Sequence, residues 1–167
     1  LQTVKLDYLM PAEAAQLIER PVPGFGLRYE PPALEDMLRL TRGQPNLVQV
    51  MCDEMVHLKN AQPAPARWLA SPADVETAAA RALQTGSLFF VDYQRQVPDA
   101  AGDLLRHLAR QGPGAALPAD VWRAGLEADF EPLLEKMLRR DLVEETPAGY
   151  RFEVELVRRW FSLPAAD

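Results

Sequence analysis

The sequence predicts a mainly α-helical protein: a small helical bundle followed by a second helical unit that closes on a short β-hairpin. Apolar residues recur at helical spacing through most of the chain, few stretches alternate as a half-buried strand would, and a Pro147-Ala148-Gly149 turn follows the last long helical run. In order, residues 12–20 put Ala14, Leu17 and Ile18 on one face before Pro21 stops the run. A loop dense in Pro and Gly leads to a helix over 31–42, whose prolines stand at the first positions and whose stripe is Leu34, Met37, Leu38 and Thr41. Gly43 stands where a helix C-terminus favours a left-handed residue. Pro45 opens a helix over 45–60 with a polar stripe of Asn46, Gln49, Asp53, His57 and Asn60, and a core face of Leu47, Val48, Met51, Cys52, Met55 and Val56. A Pro/Ala-rich loop, 61–70, precedes Ser71-Pro72-Ala73-Asp74, a cap that starts a helix near residue 72 and sends Val75, Ala78, Ala79, Ala82 and Leu83 inward until Gly86.

The second half has a different order. Residues 88–97 read as a short helix with Phe89, Phe90, Tyr93 and Val97 inward, although LFFV also suits a strand. Helices follow at 99–111 (Leu104, Leu105, Leu108), 118–125 (Val121, Trp122) and 130–140 (Phe130, Leu133, Leu134, Met137, Leu138). DLVEETPAGYRF then predicts two short strands, and 154–161 closes the chain with Leu156, Val157, Trp160 and Phe161. Three helices followed by a hairpin is the order of a winged helix-turn-helix. The expected division is a remnant strand or linker at 1–10, a helical domain at 11–86 and a winged helix at 87–167.

Eighteen Lys and Arg oppose 24 Asp and Glu, a net charge of −6. Residues 1–85 hold eight basic and ten acidic side chains and residues 86–167 hold ten and fourteen, so neither half is a basic module. Phosphate-backbone binding depends on clustered cations, so general nucleic-acid binding is disfavoured. No apolar run approaches the roughly 18 residues of a membrane span, and the start, LQTVKLDYL, lacks the charged and apolar regions of a signal peptide. The single Cys52 allows no internal disulfide, and the expected setting is cytoplasmic. The first residue, Leu1, suggests a piece of a longer protein.

Chemistry-bearing patterns are missing. Neither PGFGLRYE nor RQGPGAALPAD has the lysine or spacing of a phosphate-binding loop. His57 and His107 fall on exposed faces of separate domains, and one cysteine completes no zinc site with them. Ser71, Ser87 and Ser162 lack a nucleophile context, and the adjacent pairs Asp53-Glu54 and Glu144-Glu145 read as solvated. The chain by itself is expected to be no enzyme, with no catalytic residue, metal or cofactor of its own.

The string LRLTRGQPNLVQVMC resembles the lid segment that reads Leu-Thr-x-Gly-His-Pro-Tyr-Leu-x-Gln-x-x-Cys in AAA+ type P-loop ATPases, most closely the STAND class of signal-transduction ATPases. PAEAAQLIERPVPGFGLRYEPPAL, SPADVETAAARAL and RRDLVEETPAGYRFEVELVRRWF extend the likeness over nearly the whole chain. The resemblance implies a helical lid beside a winged helix, with Val4, Leu6 and Leu9 at the tail of a core strand of a nucleotide-binding domain. It places Gly43 and Pro45, with Gln44 between them, beside ATP or ADP that is held with Mg by the core of the parent protein. Gln44 stands where histidine is common, and Asn46 where an aromatic is common. A helix N-terminus also suits an anion physically. Arg39 and Arg42 are the nearby sensor candidates.

If the helix at 130–140 read DNA, Glu131 and Glu135 would face phosphate beside Lys136, Arg139 and Arg140, and the wing Glu144–Gly149 carries no base. Lys136, Arg139, Arg140, Arg158 and Arg159 form the candidate partner or DNA surface. The expected function is a regulatory module that senses nucleotide state through the lid and relays it by protein contacts of the winged helix. Its partners would be the P-loop core of the same chain and an effector domain or protein, with no membrane. The alternative is a DNA-binding module of a transcription- or replication-associated ATPase.

Overall fold

The computed structural model describes residues 8–85, 90–91, 95, 97 and 99–164. The expectations for a strand tail at Val4 and Leu6, and for Phe89 and Tyr93 in a helix at 88–97, lie outside these residues. The chain is mainly helical with a small β component and divides into two compact units, Leu1–Gly86 and Ser87–Asp167. No described helix is long and apolar enough to cross a membrane.

In the first unit α1 (Pro11–Glu19), α2 (Pro31–Thr41), α3 (Pro45–Asn60) and α4 (Pro72–Thr85) pack around Ile18, Met37, Leu40, Leu47, Met51, Met55 and the Ala78–Ala79–Ala82 face of α4. Each such buried large side chain contributes about 1.5–3 kcal/mol, and the small alanines let α4 lie close against α3. Two stretches that read as loop hold a parallel pair: β1 (Arg28–Tyr29) lies beside β2 (Leu69–Ala70), with Arg28 opposite Leu69 and Tyr29 opposite Ala70. Strands of two residues are too short to show a period, so no sequence pattern marks them.

Several faces differ from the helical wheel. Leu17 is 42% exposed, Leu34 and Leu38 are half-buried, and Ala33 and Leu40 take the inward places on α2. Cys52 and Val56 are half-buried, not core. Glu54 is buried and accepts a 2.6 Å hydrogen bond from the Thr85 hydroxyl, so it is not solvated. At the start of α4 the Ser71 N–H and hydroxyl each donate to Asp74 at 2.9 Å, while the Asp74 N–H donates back to the Ser71 hydroxyl oxygen at 3.3 Å. Lys59, only 3% exposed, reaches the same carboxylate at 2.9 Å, and Gln62 donates to its other oxygen. The network ties the end of α3 to the start of α4.

The second unit contains α5 (Asp99–Arg110), β3 (Ala116–Leu117), α6 (Ala119–Leu126), α7 (Phe130–Arg139), β4 (Val143–Thr146), β5 (Gly149–Phe152) and α8 (Glu155–Ser162). The hairpin β4–β5 pairs Val143 with Phe152 and Thr146 with Gly149, and β3 adds a third antiparallel strand in the order β3-β5-β4. Gly149 sits at φ 120, and a Cβ there would lie 2.0 Å from the Leu117 carbonyl oxygen, so the approach of hairpin to β3 requires glycine. Leu105, Leu108, Trp122, Leu134, Met137, Leu156 and Phe161 are buried, and Phe90 stacks on Trp160 with centroids 5.0 Å apart. Val121, read as inward, is 38% exposed.

Candidate functional site

The α2–α3 junction is built from backbone constraints. Arg42, not Gly43, is the left-handed C-cap of α2, at φ 50, and its N–H bonds to the Leu38 carbonyl at 2.7 Å. Gly43 extends the left-handed turn at φ 74 and is buried. Its carbonyl accepts the Leu9 N–H at 2.9 Å, and a Cβ on it would fall 2.4 Å from the Leu9 oxygen. The glycine is therefore required twice, by its φ and by the segment 8–10 that runs against it.

Gln44 is the N-cap of α3: its side-chain oxygen accepts the Leu47 N–H at 3.0 Å, and its own N–H bonds to the Thr41 carbonyl at 2.9 Å. Pro45 has no N–H. Of the donors that a helix start normally leaves over, the Asn46 N–H alone is without an acceptor among the described residues. This narrows the expectation of an anion site, because one donor is a poor cradle for phosphate.

Pro45 instead lines an open groove of about 500 Å³ with Leu17, Ile18, Pro21, Phe25, Val48, Gln49, Cys52, Asp53 and Val56. The groove lies between α1, the loop after it and the outer face of α3, so it collects the residues that the helical wheel assigned to the core but that stay half-exposed. Burial in this apolar wall pushes the Cys52 thiol up to about 12 and keeps it protonated. Burial, then Cys52 and Glu19, also raise the pKa of the Tyr29 hydroxyl, which is enclosed without a hydrogen-bond partner among the described residues.

Neither sensor candidate is among the residues lining the groove. Arg39 is paired with Asp36 on its own helix at 2.8 Å, and Arg42 is exposed at the cap. Among the described residues no cluster of three or more His, Cys, Asp or Glu is placed to hold a metal ion, and His57 and His107 are both exposed.

In the second unit the five candidate cations separate. Lys136 is exposed on α7 and Arg140 at its C-cap, and Arg139 beside them is paired with Glu135 one turn back. Arg158 is turned inward: Glu155 holds it through two contacts of 2.8 Å, and it donates to the Ala109 carbonyl at 2.5 Å, fastening α8 to α5. Arg159 shares Glu155 at 3.3 Å. Burial opposes ionisation of Glu155, but Arg158 and then Arg159 hold its carboxyl below the ordinary range. Arg158 is thus a structural clamp and not a surface cation, which its place in an Arg-Arg pair could not reveal. On the hairpin, Arg151 is paired with Glu144 at 2.7 Å.

A scan against protein-family models finds no match to the chain, and a search of curated proteins finds none.

Proposed function

We propose that the chain is the regulatory C-terminal part of a nucleotide-binding signalling ATPase of the AAA+ type, nearest in pattern to the STAND class. The first unit acts as the lid that senses ATP or ADP; the second, a winged helix, passes the change to another domain or protein. The nucleotide, with Mg, belongs to a P-loop core, and this chain catalyses nothing by itself. It works in the cytoplasm without membrane contact.

The observation that carries the reading is Pro45, which stands at an open apolar groove while Gly43, two residues before it, binds the entering segment at Leu9. A proline ring on an apolar wall suits the face of a base or sugar, and the shortage of free amides leaves the phosphates to the core. A shift of the entering segment would reach the α2–α3 turn through one hydrogen bond, which gives a two-state element for a ligand to bias. In the protein that joins this chain to a phosphate-loop domain, Pro45→Ala should change the ratio of ATP to ADP affinity, read by calorimetry, by about fivefold or more. An unchanged ratio, or a gene product without such a domain, refutes the proposal.

Carboxylates at the α7 and hairpin cations support protein contacts over DNA: Glu135 neutralises Arg139 and Glu144 neutralises Arg151. The full chain should leave random duplex unshifted in a gel at near-physiological salt. Submicromolar, salt-dependent binding would put the DNA-binding module in its place.

A further inference from the structure

The apolar surface of the first unit extends well past Pro45. Leu17, Val22 and Trp68 are 42%, 58% and 53% exposed. Leu17 lines the groove already described; Val22 and Trp68 line a second of about 240 Å³, together with Lys59, Asn60 and Arg67. Phe25 and Val56 line both, so the two are continuous. Along α3 the lined stretch runs from Pro45 to Asn60, about 22 Å at roughly 1.5 Å per residue. That length fits several residues of a polypeptide and exceeds what a small ligand would cover.

The charges along it have an order. Asp53 is the charged residue of the first groove; its side chain is 67% exposed, with His57 at 3.6 Å. In the second groove Lys59 is neutralised by Asp74. Arg67 spends its Nε on the Gln62 carbonyl at 3.2 Å and lies 5.9 Å from the Trp68 ring centroid, while its terminal nitrogens have no partner among the described residues. A carboxylate thus stands near the middle of the face, and an available guanidinium at its far end.

We propose that this face docks an amphipathic segment of a partner protein, with its apolar stripe in the two grooves, a Lys or Arg over Asp53 and an Asp or Glu at Arg67. Helical segments with apolar anchors one and two turns apart bind grooves of this kind. The proposal does not rest on the nucleotide reading; both use the wall at Pro45, so segment and nucleotide exclude each other there.

The test selects random displayed dodecapeptides on the full chain and measures the best binder by fluorescence anisotropy. Enriched peptides should combine bulky apolar residues with a Lys or Arg. Leu17→Glu and Asp53→Lys, both at exposed positions and checked by circular dichroism, should each weaken binding by about tenfold or more. Selection on Asp53→Lys should return an acidic residue in place of the base, and selection on Arg67→Glu a second base. The proposal fails if nothing is enriched, if the binders lack a base, or if affinity ignores the substitutions. Self-association of the chain that Leu17→Glu abolishes would overturn it in favour of a second copy as occupant.

Discussion

Gly43→Ala isolates the contact that joins the entering segment to the helix junction. Two costs arise. An L-residue at φ 74 is strained by about 1–2 kcal/mol. The new Cβ, 2.4 Å from the Leu9 oxygen, also forces the segment away and removes the Leu9–Gly43 hydrogen bond, worth about 1 kcal/mol. Together these give about 2–3 kcal/mol, or a fall of roughly 1–3 M in the urea midpoint for an m-value of about 1–2 kcal/mol/M. Gly24→Ala is the internal control, because Gly24 has φ 77 but nothing within 4 Å of its added Cβ. It should show the backbone cost alone. The assay is urea unfolding of both variants by circular dichroism, with hydrogen exchange of the Leu9 amide as a local readout. If Gly43→Ala costs no more than Gly24→Ala and the Leu9 amide stays protected, segment 8–10 is not anchored as argued.

Asp74→Asn leaves Lys59 buried without its carboxylate and should cost about 3–5 kcal/mol in thermal or urea unfolding. Burial opposes the Asp74 charge, but hydrogen bonds from the Ser71 N–H, Lys59, Gln62 and the Ser71 hydroxyl outweigh it and hold the folded carboxyl well below its ordinary 3.8. Its stabilisation is therefore complete above that value and lost as pH falls below it, so the gap between wild type and Asp74→Asn should narrow below pH ~4; a constant gap refutes the assignment. Cys52, at about 12 against an ordinary 9.0, should react with iodoacetamide on the order of a hundredfold more slowly in the folded chain than in urea at neutral pH. Equal rates would mean that the thiol is not desolvated. Arg158→Met leaves the half-buried Glu155 with Arg159 alone and takes the guanidinium donor from the Ala109 carbonyl, and should destabilise the second unit by about 1–2 kcal/mol, whereas Arg139→Met, at an exposed pair, should change stability by less than about 1 kcal/mol. Similar effects for the two would undo the distinction between clamp and surface cation.

Most helices and several of their ends were legible in the sequence alone. Period, prolines at first turns and the Ser71–Asp74 cap are local physics, which neighbouring residues settle among themselves, and the hairpin carried its own turn residues. The junction at Gly43-Gln44-Pro45 was legible as a stop and a start for the same reason. What each face meets was set by packing. The wheel could not show that Leu17, Cys52 and Val56 border an open groove, since an apolar residue at the right spacing looks the same whether a neighbour covers it or not. Nor could it show that Gly43 carries Leu9, that Lys59 crosses to Asp74, or that Arg158 turns inward to Ala109 while Arg139 stays out. Those contacts join residues distant in sequence, and only the packing of one helix against another sets their distance.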